Sequence, residues 1–546
     1  MPARQSEGTV VPLAIGVTSH RNLPAREIET IRARVRDFFV QLQRDFPQLP
    51  LVVMSALAEG GDQLVAQEAL NIGARLIAPL PLPRDLYAQD FNESSVHAAF
   101  ESLCAHADVI DLPLLPNNSL DGIGSHGTQR NRQYGQAGVF IARHCHLLLA
   151  IWDGKSSDKL GGTAQVVDYF LSGVMPGLIE RRRGARRVLL GGDDGRLICQ
   201  IVCSRDEPRG APQAPLQSGQ LLWRTQGETS AADAPMPAEF HAMFEHMAEF
   251  NGDAEKYRDK VDAGHPEHSG LCEQPAPGAI ERLFCAADWL AVHFQKRVLL
   301  AMRTIYTLAA LMAIAFNVYD NVPDQDNFIY VFLLLFASGI LISAIAKRRG
   351  WHRKYLDYRA LAEGLRVQGY WRRAGISLTG DPEFAQDSFL QKQDIELGWT
   401  RNVMRSAGLD SAPLGSTDAE LHEVIRDWVG DDRHGGQLDY YTRKSAQRAR
   451  HHRLTESIGL ASLCIGIGIS IVLAVLAHRL SADAKNVLVI VMAVFSILAA
   501  VRESYSYRKA DKELIKQYRF MHRIFAGARA ALDSTSDAAE QREILR

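Results

Sequence analysis

Four stretches without a single charged side chain follow one another after residue 300, and they constrain this chain more than any motif does. In chain order they are Thr304–Tyr319 with 16 residues, Phe328–Ala346 with 19, Ser457–Ala477 with 21 and Asn486–Val501 with 16. A bilayer core takes about 20 apolar residues per helix, within a range of about 17–25, so the two middle stretches are long enough alone. Each shorter stretch lies one polar turn from a long one, across Asp320–Asn327 and His478–Lys485. The pattern predicts two transmembrane hairpins; the alternative, four buried helices of a soluble domain, would leave such helices without the polar face they normally keep.

The flanks orient the hairpins. Lys296, Arg297, Lys347, Arg348, Arg349, Arg353 and Lys354 border the first, and Arg443, Lys444, Arg448, Arg450, Arg453, Arg502, Arg508 and Lys509 border the second. By the positive-inside rule the chain is expected to be a multi-pass protein of the cell inner membrane with both termini cytoplasmic. Met1–Val10 is polar and carries no signal-peptide pattern. Small residues at helix-packing spacing (Ser462, Gly466, Ser470; Ala337, Ser338, Gly339) suit contacts within the chain or between copies, and a homo-oligomer is expected. Arg303, at the first entrance, either lines a pore or snorkels to the headgroups.

The organisation that follows is an α/β domain over residues 1–205, a linker with connecting helices over 206–296, the first hairpin over 297–346, a cytosolic helical stalk over 347–453, the second hairpin over 454–502 and a C-terminal helix over 503–546. Charge is balanced, 61 Lys+Arg against 63 Asp+Glu, which provides no concentrated basic field for nucleic acid, and none is expected as a partner. The 7 cysteines form no CxxC pair and no His-spaced set, so reduced thiols, no metal and no cofactor are expected.

From Val11 the chain alternates short apolar runs with amphipathic stretches, the pattern of a Rossmann-like parallel sheet with covering helices. Strands are predicted at Val11–Val17, Leu51–Ser55, Ala74–Pro79, Val109–Leu112, Leu147–Trp152 and Val188–Gly191, with helices near Ala25–Phe46, Asp62–Leu70, Ser94–Cys104, Asn131–Arg143 and Thr163–Gly173. Ligands of such sheets sit at the carboxyl ends of the strands. There the sequence places Gly16-Val17-Thr18-Ser19-His20-Arg21, then Glu59-Gly60-Gly61-Asp62, then Asp153-Gly154-Lys155 and Gly161-Gly162-Thr163. Glycines admit close backbone approach and helix starts favour anions, so three such loops converging on one crevice point to a nucleotide or a phosphorylated sugar. None matches a Walker A loop or a GxGxxG fingerprint. Pro116–Gly135 reads as a long loop, either a lid or plain solvated chain, with Arg130, Arg132 and Tyr134 at its base suited to phosphate pairing and base stacking.

The strings GVTSHR, SALAEGGDQLVAQEAL, GARLIAPLPLPRDLYAQDF and IWDGKSSDKLGGTAQVV resemble the SLOG superfamily of DprA-like and LOG-type Rossmannoid domains, over roughly residues 10–205. The resemblance implies a nucleotide-derived ligand, ADP-ribose-like or cyclic, with phosphate contacts from Gly16, Thr18, Ser19, His20 and Arg21. It further implies ligand contacts from Glu59, Gly60, Gly61 and Asp62, and from Gly154, Gly161, Gly162 and Thr163; Arg132, Tyr134 and Asp153 complete the expected site. The arrangement is similar to SLOG sensors that accompany membrane effectors in bacterial anti-phage systems and to the cytosolic region of melastatin-type TRP channels. That implies a ligand-gated pore or membrane-disrupting effector.

One position departs from the pattern. LOG-type phosphoribohydrolases place a catalytic glutamate three residues after the final threonine of the glycine-rich loop, where this chain has Val166; Asp168 lies two residues on and faces another side of the helix. No catalytic residue is therefore assigned, and a ligand sensor is preferred to an enzyme. The alternative is a membrane-anchored nucleotide hydrolase of phosphoribohydrolase or N-glycosidase type, in which Glu59, Asp62 or Asp153 would act as acid or base.

Residues 204–237 are Pro-, Gly- and Ser-rich and read as a surface excursion, and Ala238–Tyr257 and Ile280–Lys296 read as helices, the latter leading to the first membrane helix. Trp351–Arg373 reads as a stalk helix packed on the tail at Arg502–Leu532, or as an interfacial helix on anionic lipid. Residues 375–420 read mostly as loop, with helix again at His422–Val429 and Tyr440–His451.

Overall fold

Leu13–Ser19 (LAIGVTS) is apolar at nearly every position, which suits a central parallel strand covered on both faces, and Leu13, Ile15 and Val17 are buried along with Ala14. In this computed structural model the described residues are 10–91, 93–179, 195–263, 271–272, 277–322, 324–376, 395–410, 417–430, 435–476 and 478–546. The stretch Val188–Gly191, read as a strand, lies outside them. The chain divides into two units, the first built from Met1–Glu267, Gln274–Ala286 and Glu383–Ala412, the second from His268–Glu273, Ala287–Pro382 and Pro413–Arg546.

In the first unit, β1 (Leu13–Ser19) leads to α1 (Ala25–Asp45), β2 (Leu51–Met54), α2 (Gly61–Asn71) and β3 (Arg75–Leu80). Two helices, α3 (Arg84–Ala88) and α4 (Ser94–His106), precede β4 (Asp108–Asp111). Then come α5 (Leu120–Gly124), α6 (Thr128–His144), β5 (Leu147–Trp152), α7 (Thr163–Ser172), β6 (Leu197–Val202), β7 (Leu221–Arg224), α8 (Ala238–Lys256) and α9 (Arg258–Asp262). The seven strands lie in the order β4-β3-β2-β1-β5-β6-β7, parallel except that β7 runs antiparallel to β6. Right-handed crossovers that step outward in both directions from β1 put helices on opposite faces of the sheet. The α6–α7 side is filled by Ala14, Val52, Met54, Leu148, Ala150 and Ile198 packed against Ile141, Val166 and Phe170.

Two readings of local structure are revised. Pro116–Gly135 is not one long loop, since it holds α5 and the first turns of α6, with Ser119 capping α5 through Gly122 N–H. The excursion at 204–237 contributes the edge strand β7, whose Trp223 packs on Phe38 of α1.

The long helix α10 (Ala279–Asn321) starts in the first unit and continues into the second without interruption, merging the predicted connecting helix with the first apolar stretch. The second unit continues with α11 (Phe328–Arg348) and α12 (Trp351–Arg373). Next in the chain is α13 (Trp399–Leu409), inside a segment read as mostly loop, and it belongs to the first unit. The second unit then adds α14 (Asp418–Val424) with one π turn, α15 (Gly436–Leu476), α16 (Ala482–Lys509), α17 (Asp511–Asp533) and α18 (Ala538–Leu545). Among the described residues four helices, α10, α11, α15 and α16, carry segments long and apolar enough to cross a membrane. Within the second hairpin, Gly459, Ser462 and Gly466 are the buried positions of the apolar part of α15, and Gly466 lies against Ser496 of α16.

Cys104, Cys145, Cys199, Cys203 and Cys464 are free thiols, but Cys272 and Cys285 are disulfide-bonded, which corrects the expectation of seven reduced cysteines.

Candidate functional site

The sheet grows away from β1 in both directions, so the loops after β1 and β5 part and leave a crevice at their carboxyl ends. Ser19 closes β1 opposite Ile151, and His20 N–H extends the ladder to the Ile151 carbonyl at 3.1 Å. The Ser19 hydroxyl donates to Asp62 Oδ1 at 2.5 Å, while the Ser19 carbonyl accepts from the Thr163 hydroxyl at 2.7 Å. Asp62 stands in the first turn of α2 and Thr163 opens α7, so one strand end ties down the starts of two helices.

The two acids of the crevice are shifted in opposite directions because their partners differ. Burial pushes the Asp62 carboxyl up to about 6, against the Ser19 hydrogen bond, the Arg21 charge and the Ala58 amide, which favour the anion. Burial also acts to raise Asp153, but the hydrogen bonds from His20 and Lys155 and the Arg205 charge outweigh it and hold this carboxyl below the ordinary range. Asp153 lies 3.1 Å from His20 Nε2, accepts the Lys155 amide at 3.1 Å and accepts Arg205 Nε at 2.9 Å. This contact orients the imidazole at the crevice wall.

The glycines are largely committed to chain packing. Gly60 has φ +89°, and a Cβ there would stand 2.1 Å from the Arg21 carbonyl oxygen; one on Gly61 would stand 2.6 Å from the Ser19 Cβ. Gly61 N–H donates to the His20 carbonyl at 3.3 Å, so this pair exists to bring α2 onto the β1 loop. Gly161 abuts Gly135 and Tyr134 of α6, Gly154 abuts Leu216, and Gly162 approaches its own Lys159 carbonyl. Gly16 lies inside β1 and packs on Ile141 and Cys145 of α6, away from the strand end, and Thr18 is buried in the same strand.

Arg21 is the exposed residue of the cluster. Its guanidinium carbon lies 5.5 Å from the centroid of the Tyr134 ring, and among the described residues it makes no hydrogen bond or ion pair. Half-buried Glu59 likewise has no polar partner among them. Tyr134 is fixed from beneath: its hydroxyl donates to Asp90 and accepts Arg130 Nε at 2.8 Å, while Arg130 Nη2 pairs with Asp90 at 2.7 Å and Nη1 donates to the Ile123 carbonyl at 2.6 Å. Arg130 is the buried support of this group; Arg132 takes no part in it, and its Nε has no partner among the described residues. Val166 is buried against Gly138, and Asp168 is exposed on another side of α7.

The structure thus gathers Ser19, Asp62 and Thr163 into one hydrogen-bonded set and pairs His20 with Asp153 at the next strand end, with Arg21 stacked on Tyr134. Sequence reasoning passed over Asp90 and Arg205. A buried arginine demands a carboxylate, which was the one signal for Asp90; Arg205 sits in a Pro/Gly-rich stretch with nothing to mark it. Among the described residues no group of three or more His, Cys, Asp or Glu could hold a metal ion. No protein-family model matches this sequence, and no curated protein does.

Proposed function

We propose that the α/β unit is a sensor for an anionic, nucleotide-derived signal bound at the β1/β5 crevice, and that the apolar helices form the membrane effector it controls. The observation that carries this reading is Arg21 at the sheet's switch point, whose guanidinium lies over the aromatic face of Tyr134 and, among the described residues, makes no hydrogen bond or ion pair, Asp62 and Asp90 acting on it only through their charge. A phosphate would give it a direct ion-pair partner, the start of α7, tied to the same strand end through Thr163, would add N–H donors, and a ring face suits a base. The SLOG-like strings and the SLOG-plus-membrane-effector arrangement of anti-phage systems agree with it. Ligand binding drives the effector only through different affinities for two states, and α10, unbroken from Ala279 to Asn321, is the covalent path for such a shift.

The test uses the full chain in liposomes, titrated with ADP-ribose and with cyclic mono- and dinucleotides while ion flux and ligand integrity are followed. Flux evoked by a ligand recovered intact, and lost in Arg21→Ala, is expected. Flux unchanged by every ligand, or retained in Arg21→Ala, would remove the assignment. The hydrolase reading draws on one observation, the Asp62 carboxyl poised near 6 beside the Ser19 hydroxyl. Under that reading the same assay returns cleaved ligand without flux.

A further inference from the structure

Arg443, Ala446, Gln447, Arg450, His451 and Leu454 recur at three- and four-residue spacing along α15 and line an open groove of about 400 Å³. Arg443 is tied to Asp439 one turn earlier. Arg450 and His451 are exposed, and among the described residues their side chains make no hydrogen bond or ion pair; Arg453, also exposed, stands two positions past His451 and so on another side of the helix. Glu456, the nearest acid, is shared by His452 and Lys512, so it does not neutralise them.

This basic face runs directly into an apolar one. Leu454 is 58% and Ile458 57% exposed, and the uncharged stretch begins at Ser457. At about 1.5 Å per residue, Arg453 and Arg450 stand about 6 and about 10 Å before that stretch. Each polar layer of a bilayer is about 5–8 Å deep, so long side chains at these positions reach the level of the lipid phosphates while Leu454 and Ile458 lie along the acyl chains.

We infer that this face of α15 holds an anionic phospholipid, its phosphate between Arg450 and His451 and its chains along Leu454 and Ile458. Charge complementarity selects the headgroup, and the exposed apolar continuation selects a lipid over a soluble anion. The inference rests on the apolar helices lying in a bilayer, but not on any ligand of the crevice.

Native mass spectrometry of the full chain in neutral detergent, with equal dioleoylphosphatidylglycerol and dioleoylphosphatidylcholine added, tests it. The expected result is preferential retention of the phosphatidylglycerol, reduced about fivefold in R450Q/H451Q, which removes one formal charge. The variant R348Q, which removes an equal charge at the first hairpin, should retain it. Equal retention by R450Q/H451Q, equal loss in the control, or displacement of the lipid by excess inorganic phosphate would each overturn the assignment. Recovery of the chain in the detergent-free soluble fraction would overturn the bilayer reading as well.

Discussion

Ser19 and Asp62, 43 positions apart, share a 2.5 Å hydrogen bond that joins the end of β1 to the start of α2. The bond favours an ionised Asp62, yet burial wins and its proton is held up to about 6, against 3.8 in an open chain. The folded state therefore binds more proton than the unfolded state between those values, and this residue's contribution to stability falls as pH rises through the window. Asp62→Asn should gain on the parent by about 1.4 kcal/mol per pH unit between pH 4 and 6. Denaturant midpoints of the two full chains measure this, and a pH-independent difference would refute it.

His146 has the opposite sign. Fully buried at the start of β5, its Nδ1 accepts Ala14 N–H at 3.1 Å and its Nε2 faces Ser406 Oγ of α13 at 3.2 Å. Burial and the Arg405 charge push its pKa down to about 3 from 6.5, so its stabilising contribution is complete above pH 6.5 and drains away as pH falls towards 3. His146→Leu keeps bulk but strands a buried backbone donor. It should cost about 1–3 kcal/mol and flatten the acid limb, with faster hydrogen exchange at Ala14 as the local readout.

Two glycines separate backbone strain from collision. Gly73 has φ +78° with nothing within 4 Å of a built Cβ, so Gly73→Ala should cost only the conformational penalty of about 1–2 kcal/mol. Gly60→Ala adds a methyl group against the Arg21 carbonyl and should cost clearly more, above about 3 kcal/mol. Equal thermal shifts in the two variants would mean that the α2 start moves freely away from the β1 loop.

The arginines near Tyr134 separate support from recognition. Arg130→Ala leaves the buried Asp90 carboxylate without its cation, with only the Tyr134 hydroxyl still donating to it, and should destabilise the fold by about 3–5 kcal/mol. Arg21→Ala removes a stacking contact with Tyr134 but no hydrogen bond or ion pair, and should change stability by less than about 1 kcal/mol while removing the anion binding proposed for the crevice. Thermal unfolding alongside ligand titration distinguishes the two; large destabilisation by Arg21→Ala would assign it a structural role.

The elements that sequence revealed are those whose burial is uniform. The unbroken apolar runs of β1, β5 and the four membrane-length helices announce themselves, since each residue meets the same apolar surroundings. Elements that depend on distant partners did not. The strand β7 is short, sits at the edge and is held by β6; α13 is polar enough to pass for loop until Trp399 meets Phe250 and Ser406 meets His146. Within the site, residue type and order placed Ser19, Asp62, Asp153 and Thr163 at the strand ends. What spacing cannot tell is whether a glycine makes room for a ligand or for another stretch of chain, and Gly60 and Gly161 do the latter.

The docking of α13 also fixes an order of events during synthesis. The α/β unit is not complete at residue 286, because Trp399, Asn402, Ser406 and Asp410 fill contacts with Phe250, Met243, His146 and Arg75. By the time a ribosome has made those residues, at about 5–20 per second, the first two apolar helices have already left the tunnel. The core of the α/β unit can therefore close only after the first hairpin has been committed to its surroundings, and a chain whose hairpin stalls carries an unfinished core, with Phe250 and His146 uncovered, for quality control to find.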